Sequence, residues 1–579
     1  MNDQKIENLL NLALDATMRE REHSERLNVG YDLADNTWDL IVRYSGDLSG
    51  LLEAGIQAVP LIGGYAIVTL KEQEIPLLAS LKEIEYIEQP KRLLFSVNQG
   101  KAASCITALQ SGSYRLFGQG TLVAVIDSGI DYTHPDFINE DGSSRILSLW
   151  DQTIPGNPPK GYRIGSEYGK EQIDEALRAG AEGGNPAQLV PSRDTSGHGT
   201  QVAGIAAGNG RASGGRYRGV ASESELIVVK MGFPRVDSFP RTTELMQAVD
   251  YCVKKAMEAK KPVAVNLSFG NVYGSHDGNS LLETYLDAVS SFWKNVIVVG
   301  TGNEGSGGGH TSGRLLEGQT LEVELGIGAY EPSLNLQLWK FYTDEFDIYL
   351  IHPEGMAAGP FQERLGAQRY ILGNTELLVY YGEPSPYSVN QEIYVDFLPE
   401  STYIDSGVWK IRLVPRRIVD GNFNIWLPGE AARNQSTRFF APSPALTITI
   451  PSTARKVLSV GAYDSRLMTY APFSGRGCPD CPGQSRKPDL VAPGVGITTV
   501  SPGGGYTQVT GTSFATPFAT GGAALLMEWG IVNGNDAYLY GEKVKAYLIR
   551  GARPLAVEKE YPNARLGWGT LCVRESLPV

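Results

Sequence analysis

The sequence predicts an α/β domain on a mostly parallel sheet, interrupted by an all-β insertion and preceded by a small α+β module. Three observations predict it. Continuous apolar, β-branched runs at 121–126, 262–267 and 296–299 alternate with helical stretches, as buried parallel strands do with crossover helices. From 312 to 450 the period shortens to two, in short strands separated by turn residues at fairly even spacing, the mark of a β-sandwich or jelly roll. Residues 1–98 read β-α-β-β-α-β, a ferredoxin-like order. The expected units are therefore 1–98, 99–311, 312–450 and 451–579, the second and fourth forming one α/β domain.

Composition narrows the class. The chain has 579 residues, 51 Lys and Arg against 64 Asp and Glu, and a net charge of −13. A nucleic-acid binder usually carries a basic face, so that class is disfavoured. No apolar run is long enough for a membrane span, and the first residues lack a basic stretch followed by an apolar core, so neither a membrane partner nor a secretion signal is expected. Five cysteines, scattered and odd in number, do not read as a disulfide framework and suggest a reducing compartment.

In the first module, Ile6, Leu9, Leu10, Leu12 and Leu14 recur at helical spacing before a charged run, Arg19-Glu20-Arg21-Glu22. Strands follow at 37–44, 58–62, 65–70 and 84–88, with helices at 48–54 and 74–81. Residues 91–109 read as a linker.

The α/β pattern then supplies four places for chemistry. The strand at 121–126 ends in Asp127-Ser128-Gly129, a carboxylate at the carboxyl end of a buried strand, where α/β sheets place their sites. His198 opens a small-residue helix with Gly197 and Gly199 on either side, and such flanks admit close approach of another backbone. The strand at 296–299 runs into Gly302-Asn303, an amide at the end of another central strand. Gly511-Thr512-Ser513-Phe514-Ala515-Thr516-Pro517 puts a serine at the positive end of a buried helix, where free N–H groups await a developing anion. The other histidines weigh less. His23 sits in a charged helix, His134 precedes proline and reads as structural, and His276, His310 and His352 lie in polar, Gly- or Pro-containing stretches that read as loops. Cys478-Pro479-Asp480-Cys481 has the spacing of half a zinc knuckle, but no second pair completes it, so it reads as a loop. Lys487-Pro488-Asp489 reads as rigid scaffold, and no acidic loop gathers enough ligands to name a calcium site.

Asp127, His198, Asn303 and Ser513 form one constellation. A serine hydroxyl needs a base, histidine can take and return the proton, a buried carboxylate fixes the imidazole, and an amide with the serine N–H can hold an oxyanion. These four motifs in this order resemble the subtilisin-like serine proteases over roughly residues 115–305 and 450–550. The resemblance implies that Ser268-Phe269-Gly270 lies along an extended substrate and walls the pocket for the residue before the cut bond (P1), with Gly302 on the other side. The leading module and the inserted β domain narrow the likeness to the Csp germination proteases of clostridia and their relatives. That implies a prodomain occupying the cleft as an inhibitor or chaperone and self-cleavage near residue 98, within Phe95-Ser96-Val97-Asn98-Gln99-Gly100. It also implies limited cleavage of another protein, in the bacterial cytoplasm or associated with the spore. No cofactor or metal is expected. The alternative is a catalytically silent or prodomain-inhibited relative that acts as a binding or regulatory protein. A serine esterase is disfavoured, because no Gly-x-Ser-x-Gly elbow surrounds Ser513.

Overall fold

A computed structural model describes residues 5–15, 31–32, 35–48, 50, 56–61, 64–88, 96–111, 114–232, 240–385, 388–478, 481 and 486–578. The chain divides into two compact units, 1–95 and 96–579.

In the first unit, strand Thr37–Tyr44 lies between Tyr65–Lys71 and Ile84–Glu88, and Gln57–Leu61 flanks Tyr65–Lys71, all antiparallel. Alternation decides which face is buried. Trp38, Leu40 and Val42 point inward with Ala66, Val68 and Leu70, over Leu10 of helix Asn8–Asp15 and Ile75 and Leu78 of helix Ile75–Ser80. The charged run at 19–22, His23 and most of the helix expected at 48–54 lie outside the described residues.

The stretch expected as a linker is helical from residue 96. Helices Ser96–Ala103 and Thr107–Gln110 belong to the second unit, with Ile106 and Leu109 fully buried. A Cβ on Gly100 would come within 2.5 Å of the Phe518 ring, so the first helix packs directly on the buried serine helix. Two short helices with three and two apolar residues carry too weak a period to stand out in sequence.

The second unit is organised by a nine-stranded sheet. Its parallel strands run in the order Leu490–Pro493, Leu458–Asp464, Asn295–Gly300, Val263–Leu267, Leu122–Asp127, Glu225–Lys230 and Ile146–Asp151. Short antiparallel strands, Thr469–Tyr470 and Ser166–Gly169, add to it. Each central strand is apolar throughout because both faces are covered. Val123 and Val125 face one core with helices His198–Ala207 and Thr512–Met527, while Leu122, Ala124 and Ile126 face another with helices Thr242–Ala259 and Leu281–Val289. Chain order reverses beside Leu122–Asp127, so a crevice opens at the carboxyl ends of the central strands.

The insertion is two antiparallel sheets sharing one apolar core. One holds His310–Arg314, Asn422–Trp426, Leu334–Phe341, Asn390–Pro399, Thr375–Tyr381 and Ala367–Leu372, and the other Ala357–Ala358, Glu345–Ile351, Gly407–Arg417, Leu321–Ile327 and Arg438–Phe439. Among the described residues no helix is long and apolar enough to cross a membrane.

Two sequence expectations are corrected here. Four of the five cysteines pair, Cys105 with Cys572 and Cys478 with Cys481, leaving Cys252 free and buried. The first pair closes 467 residues and joins the two ends of the second unit, a proximity that sequence spacing cannot show. The second makes the Cys-x-x-Cys stretch a disulfide loop. Of the three histidines read as loop residues, His276 and His352 do lie in loops while His310 opens strand His310–Arg314, and all three are buried. His276 and His310 both stack on Trp426, at 4.4 and 4.7 Å between ring centres, where the insertion meets the α/β body. Burial pushes the His310 pKa down to about 4, so it is a neutral packing group. His352 bonds Asp405 and packs edge-on to Trp409. Polar neighbours in sequence concealed partners that arrive from distant strands.

Candidate active site

Asp127 is the last residue of its strand, held in register by Lys230 on one side while Leu267 ends the strand on the other. It is 4% exposed, and its side chain accepts the Ser128 N–H at Oδ1. The same oxygen lies 2.7 Å from His198 Nδ1. A carboxylate there accepts the Nδ1 proton, which leaves Nε2 as the free, basic nitrogen. Gly199 makes the approach possible, since a Cβ on it would sit 2.2 Å from the Gly129 carbonyl and 3.1 Å from the Asp127 Cβ. Phe514 covers the imidazole at 5.3 Å between ring centres.

Asp194 also reaches this region, and the sequence reading missed it. Its Oδ1 accepts the Gly197 N–H and the Ser128 hydroxyl, both at 2.8 Å. Its Oδ2 accepts the Thr200 N–H and hydroxyl at 2.8 and 2.6 Å. One buried carboxylate thus caps the histidine helix and fastens it to the loop after Asp127. The cap position itself is Gly197, and Asp194 stands three residues before it, so the local capping preference does not single it out. Burial lowers the His198 pKa, but the charge and hydrogen bond of Asp127 and the charge of Asp194 outweigh it and hold the imidazole above its usual value.

Ser513 is the second residue of helix Thr512–Met527, so its N–H has no partner within the helix. Its hydroxyl donates to the Ser268 carbonyl at 2.8 Å, and no hydrogen bond joins it to His198. Rotation about one side-chain bond redirects it, and catalytic contacts commonly close only with substrate present. Pro517 lies four residues on and has no N–H, so the Ser513 carbonyl lacks its helical donor. The Ser268 hydroxyl donates to it instead at 3.0 Å. That hydroxyl accepts from Asn266, whose amide oxygen accepts the Thr520 hydroxyl, so strand and helix are locked by buried polar bonds.

Asn303 follows strand Asn295–Gly300. Its Oδ1 accepts both the N–H and the hydroxyl of Thr512 at 3.1 Å. Because the backbone N–H can only donate, these bonds fix the amide with its NH2 turned the other way. An amide donor and an unpaired helix N–H beside one serine are the parts of an oxyanion site. Ser268 and Phe269 run past Ser513 from the end of strand Val263–Leu267, Gly270 is exposed, and Gly302 adopts φ 79° opposite them. The structure therefore joins Asp127 to His198, Ser513 to Ser268, and Asn303 to Thr512 beside Ser513, with Phe514 lying between the histidine and the serine segment. Among the described residues no group of three or more His, Cys, Asp or Glu side chains could hold a metal ion.

Comparison with known proteins follows the same lines. Residues 4–91 match the Csp protease B prodomain family, and residues 118–359 and 421–569 match the Subtilase family. The solved structure of the Clostridium perfringens CspB protease is 36% identical, with a TM-score of 0.76, over 82% of this chain and 96% of that one. A PII-type proteinase of Lactococcus lactis subsp. cremoris is 25% identical over 84% of this chain and 26% of its own length, so the chain spans about a quarter of that relative. Subtilisin E of Bacillus subtilis is 27% identical over 42% of this chain and 50% of its own.

Proposed function

This chain belongs to the subtilase family, the subtilisin-like serine proteases, and to its Csp type, and from that premise we infer that it is a serine endopeptidase working through an acyl-enzyme on Ser513. The observation that carries the reading is the 2.7 Å contact of His198 Nδ1 with buried Asp127, beside a serine flanked by an oriented amide and a free helix N–H. His198 removes the Ser513 proton as the hydroxyl attacks the peptide carbonyl. The oxygen that gains charge is held by Asn303 Nδ2 and the Ser513 N–H. The imidazolium, stabilised by Asp127, returns the proton to the leaving amine, and water repeats the sequence to release the acid.

Residues 1–98 act in this reading as an inhibitory prodomain, released or retained after self-cleavage near residue 98. Helix Ser96–Ala103 has to open first, because a cleft of this kind takes a peptide as an extended strand. The two-sheet insertion is read as a jelly roll, the target as one protein cut at a limited site, and the location as the bacterial cytoplasm or spore. A fluorophosphonate probe tests the chemistry. The chain is expected to label once the first unit has been nicked by proteolysis, and Ser513→Ala is expected to lose labelling and self-cleavage together. Equal labelling of that variant overturns the assignment.

A further inference from the structure

The insertion turns one face of its six-stranded sheet toward the α/β body. On that face Gln337 accepts the Gly274 N–H and Trp426 packs on His276. Farther along the same strands the two parts separate, and a cleft of about 860 Å³ opens between them. Register fixes what the sheet presents there. Trp339 pairs with Asn424, which pairs in turn with Ser312, and Phe341 pairs with Asn390. Trp339 and Phe341 are two apart on strand Leu334–Phe341, and Asn422 is two from Asn424 on its own strand, so all of them share one side of the sheet. Two aromatic rings thus stand along a central strand with asparagines on the strands to either side, and all of them line the cleft. Ser275, Asp277 and Asn279 belong to the body's side of it.

The four charged side chains that line the cleft are already engaged. Asp277 accepts from the Ser275 and Ser388 hydroxyls, the Asn279 N–H and Asn390 Nδ2. Asp420 accepts from Asn422 Nδ2, Lys340 donates to the Asp344 carbonyl, and Arg455 donates to Asn279 Oδ1. What is left over is neutral and both donates and accepts. Asn390 and Asn422 spend Nδ2 on those aspartates, whereas Asn424 spends Oδ1 on His310, so amide oxygens and an NH2 stay open side by side. The Trp339 ring is partly exposed, yet its Nε1–H is buried and has no hydrogen-bond partner among the described residues. Buried donors are nearly always paired, so one left over beside a cleft points to a bound acceptor.

We propose that this cleft binds a neutral oligosaccharide, with sugar rings lying on Trp339 and Phe341 and their hydroxyls bonded to Asn390, Asn422, Asn424, Ser312 and the Trp339 N–H. A sugar ring has C–H faces that pack on an aromatic ring and a rim of hydroxyls that both donate and accept, which aromatic rings flanked by amides match. The volume lies in the usual range for small-molecule sites, about 300–1,000 Å³. A charged ligand is disfavoured, because the charges at the cleft are spent and a buried ion without a partner is costly. An extended peptide is disfavoured too. Peptides gain affinity by adding a strand to a sheet edge, whereas both rings rise from the face of a strand that is paired on both sides. The cleft shares no residue with the Ser513 site, so the proposal stands apart from the peptidase reading and gives the chain a glycan anchor independent of catalysis.

The experiment is isothermal titration calorimetry of the full chain with cellotetraose, maltotetraose and chitotetraose, and with an uncharged, end-capped Ala-Ser-Ala-Ser peptide. At least one of the three sugars is expected to bind at a single site, and the peptide is not. Trp339→Phe keeps a ring and removes the N–H, so binding is expected to weaken by about fivefold, the worth of one hydrogen bond. Trp339→Ala removes the ring as well and is expected to weaken it by about tenfold or more. Ser312→Arg places a bulky side chain at an exposed position in the cleft and is expected to abolish binding with Tm unchanged, which keeps the test decisive if a Trp339 variant fails to fold. Absence of binding by all three sugars, sugar binding that survives Ser312→Arg, or peptide binding as strong as sugar binding overturns the proposal. Fluorophosphonate labelling of the nicked variants at the parent's level separates this outcome from any failure of the peptidase reading.

Discussion

Helix His198–Ala207 and helix Thr512–Met527 are built from similar sequence: each follows a glycine, is rich in small residues, and carries one candidate functional side chain in its first turn. Their amino ends are finished differently. At the histidine helix the N–H groups of Gly197 and Thr200 go to Asp194 and that of Gly199 goes to the Ser128 hydroxyl. At the serine helix Thr512 N–H goes to Asn303, and Ser513 N–H is given no acceptor. A helix amino end attracts negative charge. The first helix spends that attraction on a carboxylate belonging to the fold and so fixes His198. The second leaves it free, as the proposed mechanism requires for charge that forms during the reaction.

Breaking either functional side chain tests the contrast most severely. His198→Ala, like Ser513→Ala, is expected to reduce kcat by about 10⁶-fold, the scale known for removal of this serine or histidine in subtilisin. Active-site-titrated kinetics check it. Next comes the open end. Asn303→Leu removes one of two proposed oxyanion donors and is expected to cost about 10²–10³ in kcat with KM nearly unchanged. A drop seen mainly in KM would show that Asn303 holds substrate rather than the transition state.

The closed end gives an intermediate effect with its own signature. Asp194→Asn removes a negative charge that helps raise the His198 pKa and weakens the bonds that hold the helix start. The base works neutral, so activity is lost as pH falls through its pKa. A lowered pKa moves the acid limb of the kcat/KM profile to lower pH. Loss of buried hydrogen bonds costs about 1–3 kcal/mol, read as a lower Tm. A lower Tm with an unmoved acid limb would leave Asp194 a purely structural cap. The smallest effect is expected of Pro517→Ala. It restores an N–H that can compete with the Ser268 hydroxyl for the Ser513 carbonyl, and kcat and stability are expected to change by less than about threefold and 1 kcal/mol.

Local pattern made much of the body legible. Strands apolar on both faces, as at Leu122–Asp127 and Val263–Leu267, are readable because a buried parallel strand has no polar side to confuse the period. The insertion's longer strands are legible by alternation, whereas His310–Arg314 is not, because its buried positions, His310 and Thr311, are polar. The helix Ser96–Ala103 was missed for want of apolar periodicity. Cys105–Cys572 and the His276–Trp426–His310 stack were invisible because their members are far apart along the chain.

Asp127, His198, Asn303 and Ser513 stand out in sequence as candidates because each sits at a strand end or helix start, where local rules say what a residue type can do. What surrounds them came from elsewhere in the chain. Asp194 matters by reaching Ser128 across 66 positions. The sequence by itself determined the strand–helix alternation and the four candidate groups, which depend on short-range periodicity and chemical type. Only the tertiary structure decided how His198 is fastened and which buried donor is left unpaired, because those depend on close packing between distant segments.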